Sequence, residues 1–142
     1  MRFMMLVKAN EESEAGVLPS KEALAEMGQF NEELLKAGVM LAGEGLQASS
    51  KGARVKYSGD KRTVIDGPFT EAKELIAGYW LIQVRSKDEA VEWASRVPFR
   101  DGEVEIRQVF EVSDFPTESF SPEQAAREQA MRDDLQARAG RQ

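Results

Sequence analysis

The segment TVIDGPFTEAKELIAGYWLIQVR, Thr63–Arg85, decides how this 142-residue chain is read. Its second half has strand character: Trp80, Ile82 and Val84 alternate with Tyr79 and Leu81, so Gly78 to Arg85 is apolar on both faces. A strand of that kind needs cover on each side. Ahead of it, Asp66-Gly67-Pro68-Phe69 is a turn signal. Asp can hydrogen-bond to its own backbone, Gly accepts positive φ, and Pro sets φ while biasing the residue before it toward an extended conformation. These four residues are read as a corner with Phe69 as its apolar anchor, in preference to a direct ligand contact. The charges that follow, Glu71, Lys73 and Glu74, fit a solvated surface network or a site beside Tyr79 equally well.

Working outward, Ala53–Tyr57 and Lys61–Ile65 form a hairpin joined by Ser58-Gly59-Asp60, which the corner returns to the main chain of strands. Phe3–Ala9 is a strand with Phe3, Met5 and Val7 on one face and Met4 and Leu6 on the other. A polar loop, Asn10–Pro19, leads to a helix that Ser20 caps and Gly38 stops. Within it Ala23, Met27, Phe30, Leu34 and Ala37 repeat at 4-3-4-3 spacing, the stripe of a helix lying on a sheet. Val39–Leu46 is a strand in which Gly43 and Gly45 flank Glu44. Ser86-Lys87-Asp88-Glu89 opens a second helix that runs to Pro98, and Val104–Val112 is the last strand.

The order β-α-β-hairpin-β-α-β predicts an α+β fold, a ferredoxin-like split β-α-β with an inserted β-hairpin. Two helices cover one sheet face only. The apolar second face predicts a homodimer packed sheet to sheet. The domain is expected to span residues 1–112, with 113–142 a linker and C-terminal helical arm. Ser121-Pro122-Glu123-Gln124 caps that arm, and Met131 and Leu135 are its only large apolar residues. It either frays in solvent or docks, on its own chain or across on a partner.

Composition narrows the chemistry. The chain has no cysteine and no histidine, and its net charge is −6. Disulfides, thiolate nucleophiles and Ser-His or Cys-His couples are therefore excluded, and the usual zinc ligands are missing. No metal and no cofactor is called for. The acidic balance argues against nucleic acid. The apolar run near the N-terminus is too short for a membrane span, so a cytoplasmic protein is expected.

Two further residues are candidates for a site. Glu44 lies between glycines, and a strand glycine often marks close approach of a ligand or another backbone. Arg107, on the polar side of the last strand, is its natural partner if that strand is central. The pair is read as a structural ion pair ahead of a catalytic one. The ligand-binding candidates are thus Glu44, Asp66, Glu71, Lys73, Tyr79 and Arg107, facing a small polar or anionic organic molecule.

The segment from Thr63 to Ile82 resembles the signature of DGPF-domain proteins, a bacterial branch of the YCII-related superfamily. Arg2-Phe-Met-Met-Leu-Val7, Ala42-Gly-Glu-Gly-Leu46 and Val104-Glu-Ile-Arg107 match in the same order. The resemblance implies a ferredoxin-like fold in a dimeric α+β barrel, and some members are associated with extracytoplasmic-function sigma factors. YCII-type relatives carry a His on the first helix and an Asp near a Pro-Tyr step, proposed as a catalytic dyad. Here the first helix has Gln29 and Phe30, and Val97-Pro98-Phe99 replaces the second half. Three functions follow: a small-molecule-binding or regulatory dimer without the dyad, an isomerase, lyase or hydrolase built on carboxylates with Lys or Arg, or a protein-interaction module linked to sigma-factor regulation.

Overall fold

The computed structural model describes residues 1–139. In chain order the elements are β1 (Arg2–Lys8), α1 (Glu11–Glu14), α2 (Lys21–Lys36), β2 (Met40–Gly45), β3 (Ala53–Ser58), β4 (Lys61–Asp66), β5 (Ile76–Gln83), α3 (Lys87–Ser95), β6 (Val104–Gln108) and α4 (Pro122–Ala139). Single 3₁₀ turns lie at Ser49–Lys51, Ala72–Glu74 and Val112–Asp114.

Local chemistry sets the helix ends. Ser20 Oγ accepts from the Ala23 amide at 3.1 Å, and Gly38 at φ +72° stops α2. Ser86 Oγ accepts from the Glu89 amide at 3.2 Å. Ser121 and Gln124 make a reciprocal box at 3.1 and 3.0 Å. The sequence reading missed α1, whose box is built by Asn10 and Ser13: Asn10 Oδ1 accepts from the Ser13 amide at 2.8 Å, and Ser13 Oγ accepts from the Asn10 amide at 3.0 Å. No apolar stripe accompanies so short a helix, so periodicity is blind to it.

The main sheet has the order β2-β5-β1-β6, every pairing antiparallel. Phe3 and Met5 of β1 and Trp80 and Ile82 of β5 bury one face against Phe30 and Leu34 of α2 and Ala90 and Trp93 of α3. Phe30 meets Trp80 and Trp93 edge to face, with centroids 5.4 and 6.4 Å apart.

Three expectations are corrected here. The dimeric α+β barrel is not formed: the four-stranded sheet ends in the free edge strands β2 and β6, and β3–β4 is a separate two-stranded sheet. Closing even a small barrel takes about eight strands with a consistent stagger. What the chain forms is an α+β fold with open antiparallel sheets. Secondly, the central strands are β5 and β1, and β6 is an edge. Thirdly, β6 stops at Gln108, because the chain turns into the 3₁₀ turn at Val112–Asp114 and leaves Phe110 exposed.

The arm docks on its own chain. Arg132 Nη1 donates to the Phe110 carbonyl at 2.6 Å and lies 3.6 Å from Glu111, whose carboxylate also takes Arg2 at 2.8 and 3.1 Å. The rings of Phe110, Phe115 and Phe120 step along the linker at 5.0 and 5.4 Å. The last three residues of the arm lie outside the described ones. Among the described residues no helix is long and apolar enough to cross a membrane.

Leu34 is fully buried between α2 and the sheet. Leu34→Ala is expected to cost about 3 kcal/mol, the middle of the range for a buried leucine, read as a shift in the urea midpoint with an unchanged slope.

Candidate functional site

The Asp66–Phe69 corner lies on the 3₁₀ turn at Ser49–Lys51. The Gly67 amide donates to the Gly52 carbonyl at 3.0 Å, and the Phe69 amide donates to Ser49 Oγ at 3.0 Å. Ser49 is held in turn by Glu14: its amide donates to one carboxylate oxygen at 2.9 Å and its hydroxyl donates to the other. Arg54 of β3 stacks its guanidinium 3.8 Å above the Phe69 ring. The corner therefore ties α1, the turn after β2 and the hairpin together.

Gly67 has a different reason from the one its sequence context suggested. It is not among the positive-φ glycines, and the Gly67–Pro68 peptide is cis. A Cβ at this position would lie 1.8 Å from the Ser49 carbonyl oxygen. Space decides the residue here. The Ser49 hydroxyl, followed by its amide, holds the Glu14 carboxyl below the usual value of 4.5.

The six candidate residues do not converge. Asp66 ends β4 opposite Ala53 and is exposed. Glu71 precedes the 3₁₀ turn at Ala72–Glu74 and Lys73 sits within it, both exposed. Among the described residues none of these three forms an ion pair. Glu44 and Tyr79 are brought together, directly opposite each other across β2 and β5. Arg107 is not: it lies on β6, beyond β5 and β1, about 14 Å across the sheet at the usual strand spacing. It is 73% exposed and pairs with Glu105 at 3.3 Å, an oxygen set that Lys8 approaches to 3.5 Å. The Arg107 hydrogen bond holds the Glu105 carboxyl below its usual value.

One cleft does gather functional groups. It has a volume of about 310 Å³ and lies where α2 meets the ends of β2 and β5, with Met27, Asn31, Trp80 and Phe99 around it and Glu44 and Tyr79 on its border. Trp80 and Tyr79 are adjacent on a strand, so their side chains leave on opposite faces. The indole lies on the core side, and Tyr79 and Glu44 edge the cleft from the outer side. Trp80 Nε1 donates to Asn31 Oδ1 at 2.9 Å, which leaves the Asn31 amide N–H groups to donate elsewhere. Phe99 lies 6.5 Å from the indole, tilted by 46°.

The glycines of this region are spacers. A Cβ on Gly43 would come within 2.7 Å of Met40 Cε and 2.9 Å of Trp80 Cδ1, and one on Gly78 within 2.9 Å of the Glu44 carbonyl oxygen. Gly45 has open space. Asn31 and Phe99 were missed as site residues. Asn31 had a signal: it is the polar residue at i+4 from Met27 and i+1 from Phe30, on the buried side of α2. Phe99 had one as well: it belongs to Val97-Pro98-Phe99, which stands where the family resemblance puts the second half of the dyad.

Gly67→Ala is expected to cost about 3 kcal/mol, at the upper end for overpacking, because the atom it meets is backbone. For Glu14 the depressed folded-state value means that its stabilisation is present above 4.5 and lost as pH falls through that lower value. The difference in urea midpoint between wild type and Glu14→Gln should be constant near neutrality and vanish in acid. A difference that grows on acidification would contradict this assignment.

Residues 1–113 match the YCII-related domain. An uncharacterised protein of Rhizobium meliloti (strain 1021) is 28% identical over 88 residues, 60% of this chain and 71% of that protein. Among solved structures, 5-chloro-2-hydroxyhydroquinone dehydrochlorinase from Burkholderia phenoliruptrix, in complex with 2,5-dihydroxybenzoquinone, aligns over 82% of this chain and 100% of its own, at 12% identity and a TM-score of 0.39. The chain contains no histidine at all, so it has no catalytic His–Asp dyad. The match runs through both helices that cover the sheet, all six strands and the corner, and the chain belongs to the YCII-related domain family.

Proposed function

We propose that this protein is a small-molecule-binding, regulatory member of the DGPF branch, acting as a cytoplasmic homodimer. It holds a small polar or anionic organic molecule in the Trp80–Asn31–Phe99 cleft without turning it over. The observation that carries this reading is the Asn31 amide. Its oxygen is engaged by the indole, so its N–H groups are oriented as donors into a space walled by two aromatic rings. A planar body with a carbonyl or carboxylate acceptor suits that lining, and about 310 Å³ is at the lower end for ligand pockets. Glu44 and Tyr79 border the cleft, and Asp66, Glu71, Lys73 and Arg107 do not line it. A base at Glu44 thus lacks a cation to stabilise developing negative charge, which favours binding over catalysis.

Assignment to the DGPF branch is supported by the use the corner makes of its residues: Gly67 for close approach, Phe69 through both its amide and its ring. A domain boundary at Val112 is supported by the end of the last strand at Gln108 and the 3₁₀ turn that leads into the arm. The absence of cysteine suits a reducing compartment.

The test is a titration with aromatic carboxylates and their neutral amides, read by thermal shift and by Trp80 fluorescence in a Trp93→Phe background. A bound carboxylate should raise Tm and change the indole emission. Asn31→Ala and Phe99→Ala should each weaken binding about tenfold or more, roughly 1.4 kcal/mol. Lys73→Ala and Arg107→Ala should leave it unchanged. Equal affinity in all four variants would place the ligand elsewhere, and product formation would make the protein an enzyme.

A further inference from the structure

The arm lies over the sheet face turned away from the core, and it covers that face incompletely. Arg2 adjoins the buried Phe3 on β1, and Leu81 stands between the buried Trp80 and Ile82 on β5, so both belong to the outer face. From α4, Arg132, Leu135, Gln136 and Ala139 turn to the same space, at the i, i+3, i+4 and i+7 positions of one helix face. Between the two surfaces runs a groove of about 530 Å³, within the usual range for ligand pockets.

The lining divides by chemistry. Leu35, Leu41, Leu81 and Leu135 make an aliphatic wall with no aromatic ring in it, unlike the Trp80 cleft. Leu35 is 63% and Leu135 57% exposed, so docking of the arm leaves them largely uncovered. The polar part is Arg2 and Arg132, whose side chains are only 14% and 20% exposed. Both reach Glu111, so they stand together on one side of the groove. Neither is fully used. Arg2 spends Nε and Nη2 on Glu111, at 2.8 and 3.1 Å. Among the described residues Arg132 makes one hydrogen bond, to the Phe110 carbonyl, while Glu111 and Glu128 lie 3.6 and 3.7 Å away, beyond hydrogen-bond length. A guanidinium carries five N–H donors, so most are left over on each.

We propose that this groove binds a medium-chain aliphatic carboxylate, with its chain along the leucines and its carboxylate on Arg2 and Arg132. The planar fork of a guanidinium matches the two oxygens of a carboxylate, and partial burial strengthens the contact. A ligand held this way ties α4 to the sheet through its apolar wall, where Glu111 ties it only at the polar side. The groove shares no lining residue with the Trp80–Asn31–Phe99 cleft, so this second site stands independently of the function proposed for that cleft.

The experiment is calorimetric titration of full-length protein with decanoate, and with decanol as its uncharged counterpart. One decanoate should bind per chain, and decanol should bind about tenfold or more weaker, the effect of losing a charge-assisted contact. Leu35→Asn lies on α2 outside the core and tests the wall without touching the arm, and Arg132→Gln tests the polar side. Each should weaken decanoate about tenfold or more with an unchanged circular dichroism spectrum. Phe99→Ala, in the other cleft, should leave decanoate binding as it is. Equal affinity in wild type and either groove variant overturns the proposal, as does decanol binding as tightly as decanoate. Uptake of several decanoates per chain, or of none, overturns it too. If sedimentation shows that decanoate binds only by converting a dimer to monomers, the groove belongs to a second copy of this chain, and this proposal fails while the homodimer stands.

Discussion

The indole of Trp80 is the constraint around which the rest is arranged. It is buried at the centre of a central strand, where an unpaired N–H would cost about 1–3 kcal/mol. Asn31 of α2 meets that need at 2.9 Å, which fixes the rotation of α2 on the sheet. Phe30, the next residue, then falls edge-on to the ring, and Gly43 of β2 leaves the space that the ring occupies. The core and the cleft thus share one wall. A polar residue inserted in an otherwise apolar helix stripe satisfies the core, and it also lines the cleft.

The ionised carboxylates of this protein serve its fold. Among the described residues no charged or polar side chain is buried, and no buried side-chain polar atom lacks a partner. The carboxyls of Glu14, Glu105 and Glu111 are all held below the usual value, by Ser49, by Arg107 and by Arg2 respectively. Each remains ionised near neutral pH; Glu14 and Glu111 tie separate segments, and Glu105 reaches Lys8 of β1 besides its own strand neighbour.

The corner and the hairpin show how a stretch conspicuous in sequence can be structural. Asp66–Phe69 is memorable in sequence because residue types that favour turns fall on consecutive positions. Its role is to press the chain against Ser49 so closely that a methyl group is excluded, and to return the exposed hairpin to β5. The candidate site accordingly lies away from the motif, at the sheet end where β2, β5 and α2 meet.

From sequence alone, local rules determined most of the elements. Ser20, Ser86 and Ser121 announced their helices, Gly38 and Gly59 a stop and a turn, and apolar runs announced β1 and β5, because each depends on neighbours a few residues away. Cross-strand partnership was beyond its reach. Glu44 and Arg107 both read as polar positions in strands, yet one faces Tyr79 and the other lies at the far edge, since strand order is set by which apolar faces the helices can cover together. The same limit hid Asn31, whose significance depends on an indole 49 residues away, and the true reason for Gly67, which is a carbonyl oxygen 18 residues back along the chain. The sheets stayed open for a related reason: the hairpin pairs only with itself, and four strands cannot close a barrel.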